Sequence, residues 1–219
     1  VGTTTTETVD AIGDLAHAYA QVGDQKNALP LFEEVVTLET RNSGPDHERT
    51  FMALGNLAVC YDYARRDAEA LELREKVVAH YRSKPNLENR ISLVALQNLG
   101  VSYRAAGRYE EAAKAMEQVV ARLGALYGEN DGDRLIAMAR LAQCLGDLNR
   151  EGESLAMSED VLRRQRTVMG NNNYNTMVTM YNVAVNYAKA RRIDEALALY
   201  EELLPLHVGA YGPDHAQSL

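Results

Sequence analysis

The sequence has little cysteine and no long apolar run. Its two cysteines, Cys60 and Cys144, imply no disulfide framework in a chain of 219 residues. A helix that crosses a membrane needs about 18 or more consecutive apolar residues, and the sequence has no such run. The opening residues VGTTTTETVD provide neither a basic nor an apolar segment, so no signal peptide is predicted. We therefore expect a reducing, cytoplasmic setting.

Basic residues are also in deficit. The 23 lysines and arginines are outnumbered by 31 aspartates and glutamates, which gives a net charge of −8. This balance argues against nucleic acid or an anionic membrane as the default partner. The hydrophobic content of 46% is nevertheless enough to bury a sizeable core.

The motifs of the common catalytic sites are missing as well. No serine stands in a Gly-x-Ser-x-Gly turn, and no glycine-rich loop precedes a lysine that would hold a phosphate. His17, His80 and His207 have no acidic or cysteine partner at the spacing of metal ligands. We predict that the chain is not an enzyme and has no cofactor and no metal site.

What the sequence does contain is an internal repeat of 42 residues, which aligns five segments without a gap. The segments end at equivalent anchor positions, which are Tyr19, Tyr61, Tyr103, Leu145 and Tyr187. A small residue stands three positions before each anchor: Ala16, Ala58, Gly100, Ala142 and Ala184. Another stands nine positions after it: Ala28, Ala70, Ala112, Ser154 and Ala196. Small residues at two fixed positions indicate two helix backbones in close contact.

Each repeat has helical spacing of its apolar residues in two runs, separated by turn residues such as Gly23. In the first repeat this predicts helices over about 8–22 and 25–41. Neither helix can bury its apolar stripe alone, so we predict an all-α fold, a right-handed superhelical solenoid of about five stacked antiparallel helix pairs. We expect one array over 1–219, a segment of a longer array, with 212–219 beginning a further linker or repeat. The predicted units are approximately 8–43, 50–85, 92–127, 134–169 and 176–211.

The repeat pattern resembles the tetratricopeptide repeat (TPR), with Leu-Ala/Gly-x-x-Tyr, then glycine four and alanine nine residues after the tyrosine. Its cleanest copy is LQNLGVSYRAAGRYEEAAKAMEQVV at 96–120, and the resemblance extends from Thr8 to His215. The 42-residue period with Gly-Pro-Asp-His linkers is similar to the variety found in kinesin light chains. The fourth unit departs from the pattern at three positions, so we expect it to be the most loosely packed; these are Leu145, Asn149 and Ser154.

The linkers between units contain the repeated cluster Gly-Pro-Asp-His, at 44–47 and at 212–215. The Gly44 position carries glycine in five of six linkers and asparagine in the sixth, which predicts a helix C-terminal cap. The Asp46 position carries mostly helix-capping residues, so we predict the helix N-cap there. The His47 position varies between Thr, His, Asn and Asp. We therefore predict that His47 and His215, four repeats apart, are dispensable and form no metal or acid–base site.

The TPR resemblance implies that the first helices of all units line a concave groove. Positions on the groove side of these helices form the predicted peptide-binding site: Met52, Asn56, Tyr63, Val94, Gln97, Asn98, Val101, Arg140, Gln143, Val178, Tyr181, Asn182 and Lys189. An asparagine amide both donates and accepts hydrogen bonds, as an extended peptide backbone does. Asparagines of this kind contact peptides in similar proteins, and we expect the same of Asn56, Asn98 and Asn182. The alternative is that each asparagine bonds to a neighbouring helix and sets the repeat angle.

Arg140 is the clearest positive charge of the predicted groove. If the ligand carries a carboxylate, Arg140 is the residue expected to pair with it. The alternative is an internal pair with Asp147 or Gln143. Some short-repeat relatives grip a chaperone's terminal carboxylate through a lysine, but here that position carries other residues, which disfavours such a ligand: Gly13, Gly55, Gln97, Ala139 and Tyr181.

The sequence thus predicts a non-catalytic module that binds a protein or peptide in its groove, with no nucleic-acid or membrane partner. Two other functions stay open. The first is a regulatory arm, autoinhibitory or sensory, of a larger signalling enzyme such as a kinase or NTPase. The second is a structural module that self-associates weakly through its solenoid ends.

Overall fold

A computed structural model of the chain describes residues 5–84 and 89–211. All regular secondary structure in this part is α-helical, so the predicted fold class is confirmed. Odd-numbered helices are the first helices of the repeats, and even-numbered helices are the second helices. The helices are α1 Thr6–Gln21, α2 Gln25–Ser43, α3 Glu48–Tyr63, α4 Asp67–Arg82, α5 Arg90–Ala105, α6 Tyr109–Tyr127, α7 Gly132–Asp147, α8 Glu151–Val168, α9 Tyr174–Lys189 and α10 Ile193–Tyr211.

The helices divide into two compact units, Val1–Arg108 and Tyr109–Leu219. In the first unit each of α1 to α4 packs against the helix that follows it, and in the second unit each of α6 to α9 does the same. The bounds of α1 and α2 lie within two residues of those predicted for the first pair. The helix pairs within each unit are therefore confirmed, whereas the single array over 1–219 stays a prediction.

The small residues of the repeat lie where the helices touch. All ten of them are buried, and Ala16, Ala28 and Ala58 are fully inaccessible to solvent. A larger side chain at these positions would separate the two helix axes, because interiors are close-packed and tolerate little added volume. The burial of all ten positions agrees with their interpretation as helix contacts.

The turn inside each pair keeps one backbone conformation even where glycine is absent. Gly23 and Gly107 adopt positive φ angles of 78° and 74°. The same position is taken by Arg65, Asn149 and Arg191, with φ of 59°, 59° and 63°. The left-handed conformation costs a non-glycine residue about 1 kcal/mol, so helix packing imposes the turn against local preference.

The linkers correct one part of the sequence analysis. Gly44, Gly128 and Gly170 follow second helices at φ of 103°, 96° and 81°, as predicted for helix ends. The predicted N-cap at the Asp46 position is wrong by one residue, because the caps lie at the His47 position. There a side-chain oxygen or nitrogen accepts a backbone N–H two or three residues ahead in five repeats: Thr5, His47, Asn89, Asp131 and Asn173.

His47 is therefore not dispensable in the way that the sequence suggested. Its Nδ1 accepts a hydrogen bond from the backbone N–H of Arg49 at 3.2 Å. Hydroxyl, imidazole, amide and carboxylate groups all provide an acceptor, so the chemistry is conserved across the repeats while the residue name changes. His215 lies outside the described residues.

The fourth repeat is not loosely packed, contrary to expectation. Leu145 and Ser154 are each 3% exposed. The Ser154 hydroxyl donates to the backbone carbonyl of Ala142 at 2.7 Å. Because this bond satisfies the buried hydroxyl, serine replaces the usual alanine without a loss of contact between α7 and α8.

Candidate functional site

In the first unit, the predicted site residues of α3 form one exposed face. Met52 and Tyr63 are 51% and 64% exposed, and Asn56 is exposed between them. On α5, Val94 and Val101 are exposed on either side of the half-buried Asn98. Aliphatic and aromatic side chains at helical spacing on a solvent-facing surface are typical of an interaction surface.

Gln97 is an exception within this set. Its side chain is only 6% exposed, so it lies within the helix packing. Tyr181 stands at the same repeat position in α9 and is 52% exposed, so helical spacing alone does not decide the exposure of this position. The expectation that Gln97 lies on an exposed, ligand-facing surface is wrong, because its side chain is buried.

In the second unit, α9 carries a similar face. Val178, Tyr181 and Lys189 are exposed, and Asn182 is half-buried. The Tyr181 ring meets the ring of Tyr200 on α10 edge-on, with 6.0 Å between the centroids. On α7, Arg140 and Gln143 are half-buried, and each has an interaction within the protein.

The three asparagines at the repeated position are alike in the hydrogen bonding of their side-chain amides. Within 5–84 and 89–211, the side-chain amides of Asn56, Asn98 and Asn182 make no hydrogen bond to the protein. This differs from the linker asparagines Asn89 and Asn173, whose amide oxygens cap helices. These amides therefore do not join neighbouring helices through hydrogen bonds within the described residues.

A cavity of about 270 Å³ opens beside this face between α1, α2 and α3. Its polar wall contains Arg49, which donates to Glu39 Oε1 from Nε at 2.9 Å and from Nη2 at 2.7 Å. Nη2 also donates to Asp10 Oδ1 at 2.6 Å. These hydrogen bonds, to Glu39 first and Asp10 second, raise the pKa of Arg49. The buried Glu39 carboxylate is thereby paired, as a charge removed from water must be.

A contact that was not predicted recurs at the opposite end of the first helices, an arginine–tyrosine latch in which a guanidinium lies over the ring of an anchor tyrosine. The guanidinium of Arg66 lies over the Tyr61 ring, 4.3 Å from its centroid, and Arg108 and Arg192 occupy the same repeat position. Arg108 stacks on Tyr103 at 4.2 Å, as Arg192 does on its anchor tyrosine at 4.1 Å.

The same arginines reach a glutamate on the preceding second helix. Arg108 pairs with Glu75 at 3.1 Å and Arg192 with Glu159 at 3.0 Å. The recurrence of arginine and glutamate every 42 residues was visible in the sequence and predicts this latch. It ties a first helix to the helix before it, and so holds the exposed faces in position.

Profiles of known families match most of the chain. A tetratricopeptide repeat profile matches residues 7–83 and 91–167, and a second tetratricopeptide repeat profile matches 176–217. The chain belongs to the tetratricopeptide repeat family. No curated protein sequence matches this TPR chain. No helix among the described residues has both the length and the hydrophobicity to cross a membrane.

Solved structures with the same fold include kinesin-light-chain-like repeats. A putative kinesin light chain of Podosopora anserina with nearly identical TPR-like repeats has a TM-score of 0.78 and 24% identity, over 93% of this chain and 96% of that one. BtubC (BKLC) from P. vanneervenii gives a TM-score of 0.77 and 19% identity, over 93% of this chain and 81% of that one. The quorum sensor NprR from B. thuringiensis, in its apo form, gives 0.74 and 15%, over 96% of this chain and 55% of that one. These structures share the fold of this chain, and their likeness to it agrees with the resemblance to kinesin-light-chain repeats seen in the sequence.

Proposed function

We propose that this TPR chain is a non-catalytic interaction module that binds an extended peptide segment of a partner protein on the exposed faces of its first helices. The observation that carries the proposal is the bonding state of Asn56, Asn98 and Asn182, whose amides have no partner among the described residues. Each amide is able to donate to a peptide carbonyl and accept from a peptide N–H.

Side chains of the ligand would pack on the apolar residues that flank the asparagines. Met52 and Val94 each stand four residues before an asparagine, and Val59 and Val101 stand three residues after one. Val178 likewise stands four residues before Asn182. Burial of such exposed aliphatic groups stabilises a complex by about 25 cal/mol per Å² of apolar surface removed from water. The net charge of −8 favours a protein or peptide partner over nucleic acid.

The geometry also limits the entropic cost of binding. The faces lie on helices held by buried small-residue contacts and by the arginine–tyrosine latches, so little ordering of the receptor accompanies binding. A structure of NprR in complex with its cognate peptide NprX has the same fold, with a TM-score of 0.68 and 16% identity over 94% of this chain and 58% of that one. This supports the proposal, since a fold of this kind holds a peptide in that protein.

The test is a selection of peptides on the immobilised protein from a displayed library of random sequences. Affinities of the selected peptides are then measured for the wild type and for Asn56→Ala, Asn98→Ala and Asn182→Ala. A peptide that occupies the first compact unit should bind Asn56→Ala and Asn98→Ala about threefold to tenfold more weakly, as the loss of a hydrogen bond worth about 1 kcal/mol does. A peptide that occupies the second compact unit should bind Asn182→Ala more weakly by a similar factor. Helicity and melting temperature should stay close to the wild-type values.

The control is Asn172→Ala, because Asn172 is exposed in a linker and has no hydrogen bond among the described residues. This variant should bind like the wild type. The proposal is wrong if the library yields no binders, or if the three substitutions lower the melting temperature and leave the affinity unchanged. The second result would assign the asparagines a structural role.

A further inference from the structure

We infer that the cavity between α1, α2 and α3 is a subsite for a cationic side chain, lysine or arginine, of the bound segment. The inference rests on the proposed function and adds to it the chemistry of one ligand residue. Met52 and Asn56 line the cavity, and both belong to the exposed face of α3. A segment lying on that face would therefore pass the mouth of the cavity.

The charges that line the cavity do not balance. Three carboxylates, Asp10, Asp14 and Glu39, face a single cation, Arg49. Arg49 pairs with Asp10 and Glu39, whereas Asp14 makes no ion pair and no hydrogen bond among the described residues. Among the Asp, Glu and Arg side chains of the lining, three negative charges and one positive charge leave an excess of two negative charges. A cation entering the cavity would be attracted, and an anion repelled.

The shape and the apolar lining fit a long cationic side chain. Val9, Val35 and Ala53 provide apolar wall alongside Met52, against which the methylene stem of lysine or arginine would pack while its charged end reaches Asp14. Gly13 has no side chain that would fill the cavity. The space beside it is open, since a Cβ added there would find its nearest atom, Val35 Cγ2, 4.0 Å away. The same repeat position in α9 carries the large side chain of Tyr181.

A metal ion is a weaker candidate for this cavity. Among the described residues, no group of three or more His, Cys, Asp or Glu side chains is arranged to hold a metal ion. Two of the three carboxylates are already engaged by Arg49, which also occupies the space between them. A single unpaired carboxylate beside apolar groups matches one organic cation better than a divalent ion, which needs several oxygen ligands.

The experiment compares selections from the same displayed random library on the wild type, on Asp14→Asn and on Glu34→Gln. Both substitutions remove one negative charge without a large change in volume. Glu34 is exposed on α2 and does not line the cavity, so it controls for net charge. Circular dichroism and the melting temperature check that all three proteins are equally folded.

We expect the wild type and Glu34→Gln to select peptides enriched in lysine or arginine at one fixed position of the motif, and Asp14→Asn to select peptides without that enrichment. A wild-type-selected peptide should bind Asp14→Asn about twofold to fivefold more weakly, as for the loss of an ion pair with the exposed Asp14. Replacing its cationic residue with methionine should weaken binding to the wild type similarly, and should have little further effect on Asp14→Asn.

The outcomes separate the two ideas. If the wild type selects no peptides, the proposed function fails and the subsite fails with it. If it selects peptides without a preferred cation, or if Asp14→Asn keeps the preference, the subsite is wrong while the peptide-binding function stands. Loss of the preference in Glu34→Gln would also overturn the subsite, because it would trace the preference to net charge.

Discussion

The Tyr61 hydroxyl donates a hydrogen bond to Glu33 Oε1 at 3.2 Å, and the two residues lie in different repeats. Tyr103 makes the same bond to Glu75, also at 3.2 Å. In both cases an anchor tyrosine on a first helix is joined to the second helix of the preceding repeat. The anchor position thus has two functions, since the ring fills space between helices while the hydroxyl joins one repeat to the next.

Removing the Tyr61 hydroxyl should destabilise the protein at neutral pH. Tyr61→Phe keeps the ring under Arg66 but loses the bond to Glu33, so we expect the free energy of unfolding to fall by about 0.5–1.5 kcal/mol. Urea unfolding followed by circular dichroism measures the change. Tyr63→Phe is the matched control, because Tyr63 is 64% exposed, makes no hydrogen bond among the described residues and should be neutral. Equal effects of the two substitutions would contradict this role of the Tyr61 hydroxyl.

The helix-capping register is testable with two adjacent asparagines. Asn173 Oδ1 accepts from the backbone N–H of Asn175 at 2.9 Å, whereas Asn172 is exposed and has no hydrogen bond among the described residues. Asn173→Ala should cost about 1 kcal/mol of stability, as for the loss of an N-cap. Asn172→Ala should change it little. Thermal melting of the two variants decides between the observed register and the one that sequence comparison suggested, which would reverse the order.

These residues show why the repeat was predictable and the caps were not. Close packing of helix backbones accepts only small side chains, so Ala16 and Ala58 could be recognised from residue size alone. A cap requires only an acceptor atom at the right distance, and His47 and Asp131 provide it with different side chains. A comparison of residue names therefore missed a function that the atoms share.

The candidate site was predictable to a similar degree. Helical spacing identified the exposed face that includes Met52 and Asn56, but it also included Gln97, whose orientation depends on neighbouring helices. The pairing of Arg49 with Glu39 joins residues on consecutive helices, and the cavity beside it depends on that contact. Spacing within one helix carries no information about such contacts.

His80 should make stability depend on pH in mildly acidic solution. Its ring stacks on Phe51 with centroids 3.6 Å apart, and the side chain is 8% exposed. Burial, with a smaller contribution from the charge of Lys84, lowers the pKa of His80 in the folded protein. The unfolded chain therefore takes up a proton first as the pH falls below about 6.5, while the folded protein resists. The contribution of neutral His80 to the free energy of unfolding is therefore fully present above that pH, and it is lost as the pH falls towards the pKa of His80 in the folded protein.

The test of this pH dependence is His80→Leu. Leucine occurs at the same repeat position as the buried Leu38, so it is expected to fit. The decrease in unfolding free energy between pH 7 and pH 5 should be smaller in His80→Leu than in the wild type. In the control His17→Gln, a substitution at an exposed histidine, the wild-type decrease should persist. An unchanged decrease in His80→Leu would assign the acid sensitivity to other groups.

Gln165 should limit the stability of the second unit. Its side chain is fully buried in α8, and neither Oε1 nor Nε2 has a hydrogen-bond partner within the described residues. A buried amide without partners costs about 1–3 kcal/mol, because it has lost its hydrogen bonds to water. The same repeat position in α6 is Leu123, which is 1% exposed, so leucine is compatible with this site in the repeat. We expect Gln165→Leu to raise the free energy of unfolding by about 1–3 kcal/mol, measured by urea unfolding, and the reciprocal Leu123→Gln to lower it. A melting temperature of Gln165→Leu below that of the wild type would assign the amide a bound-water partner and contradict the prediction.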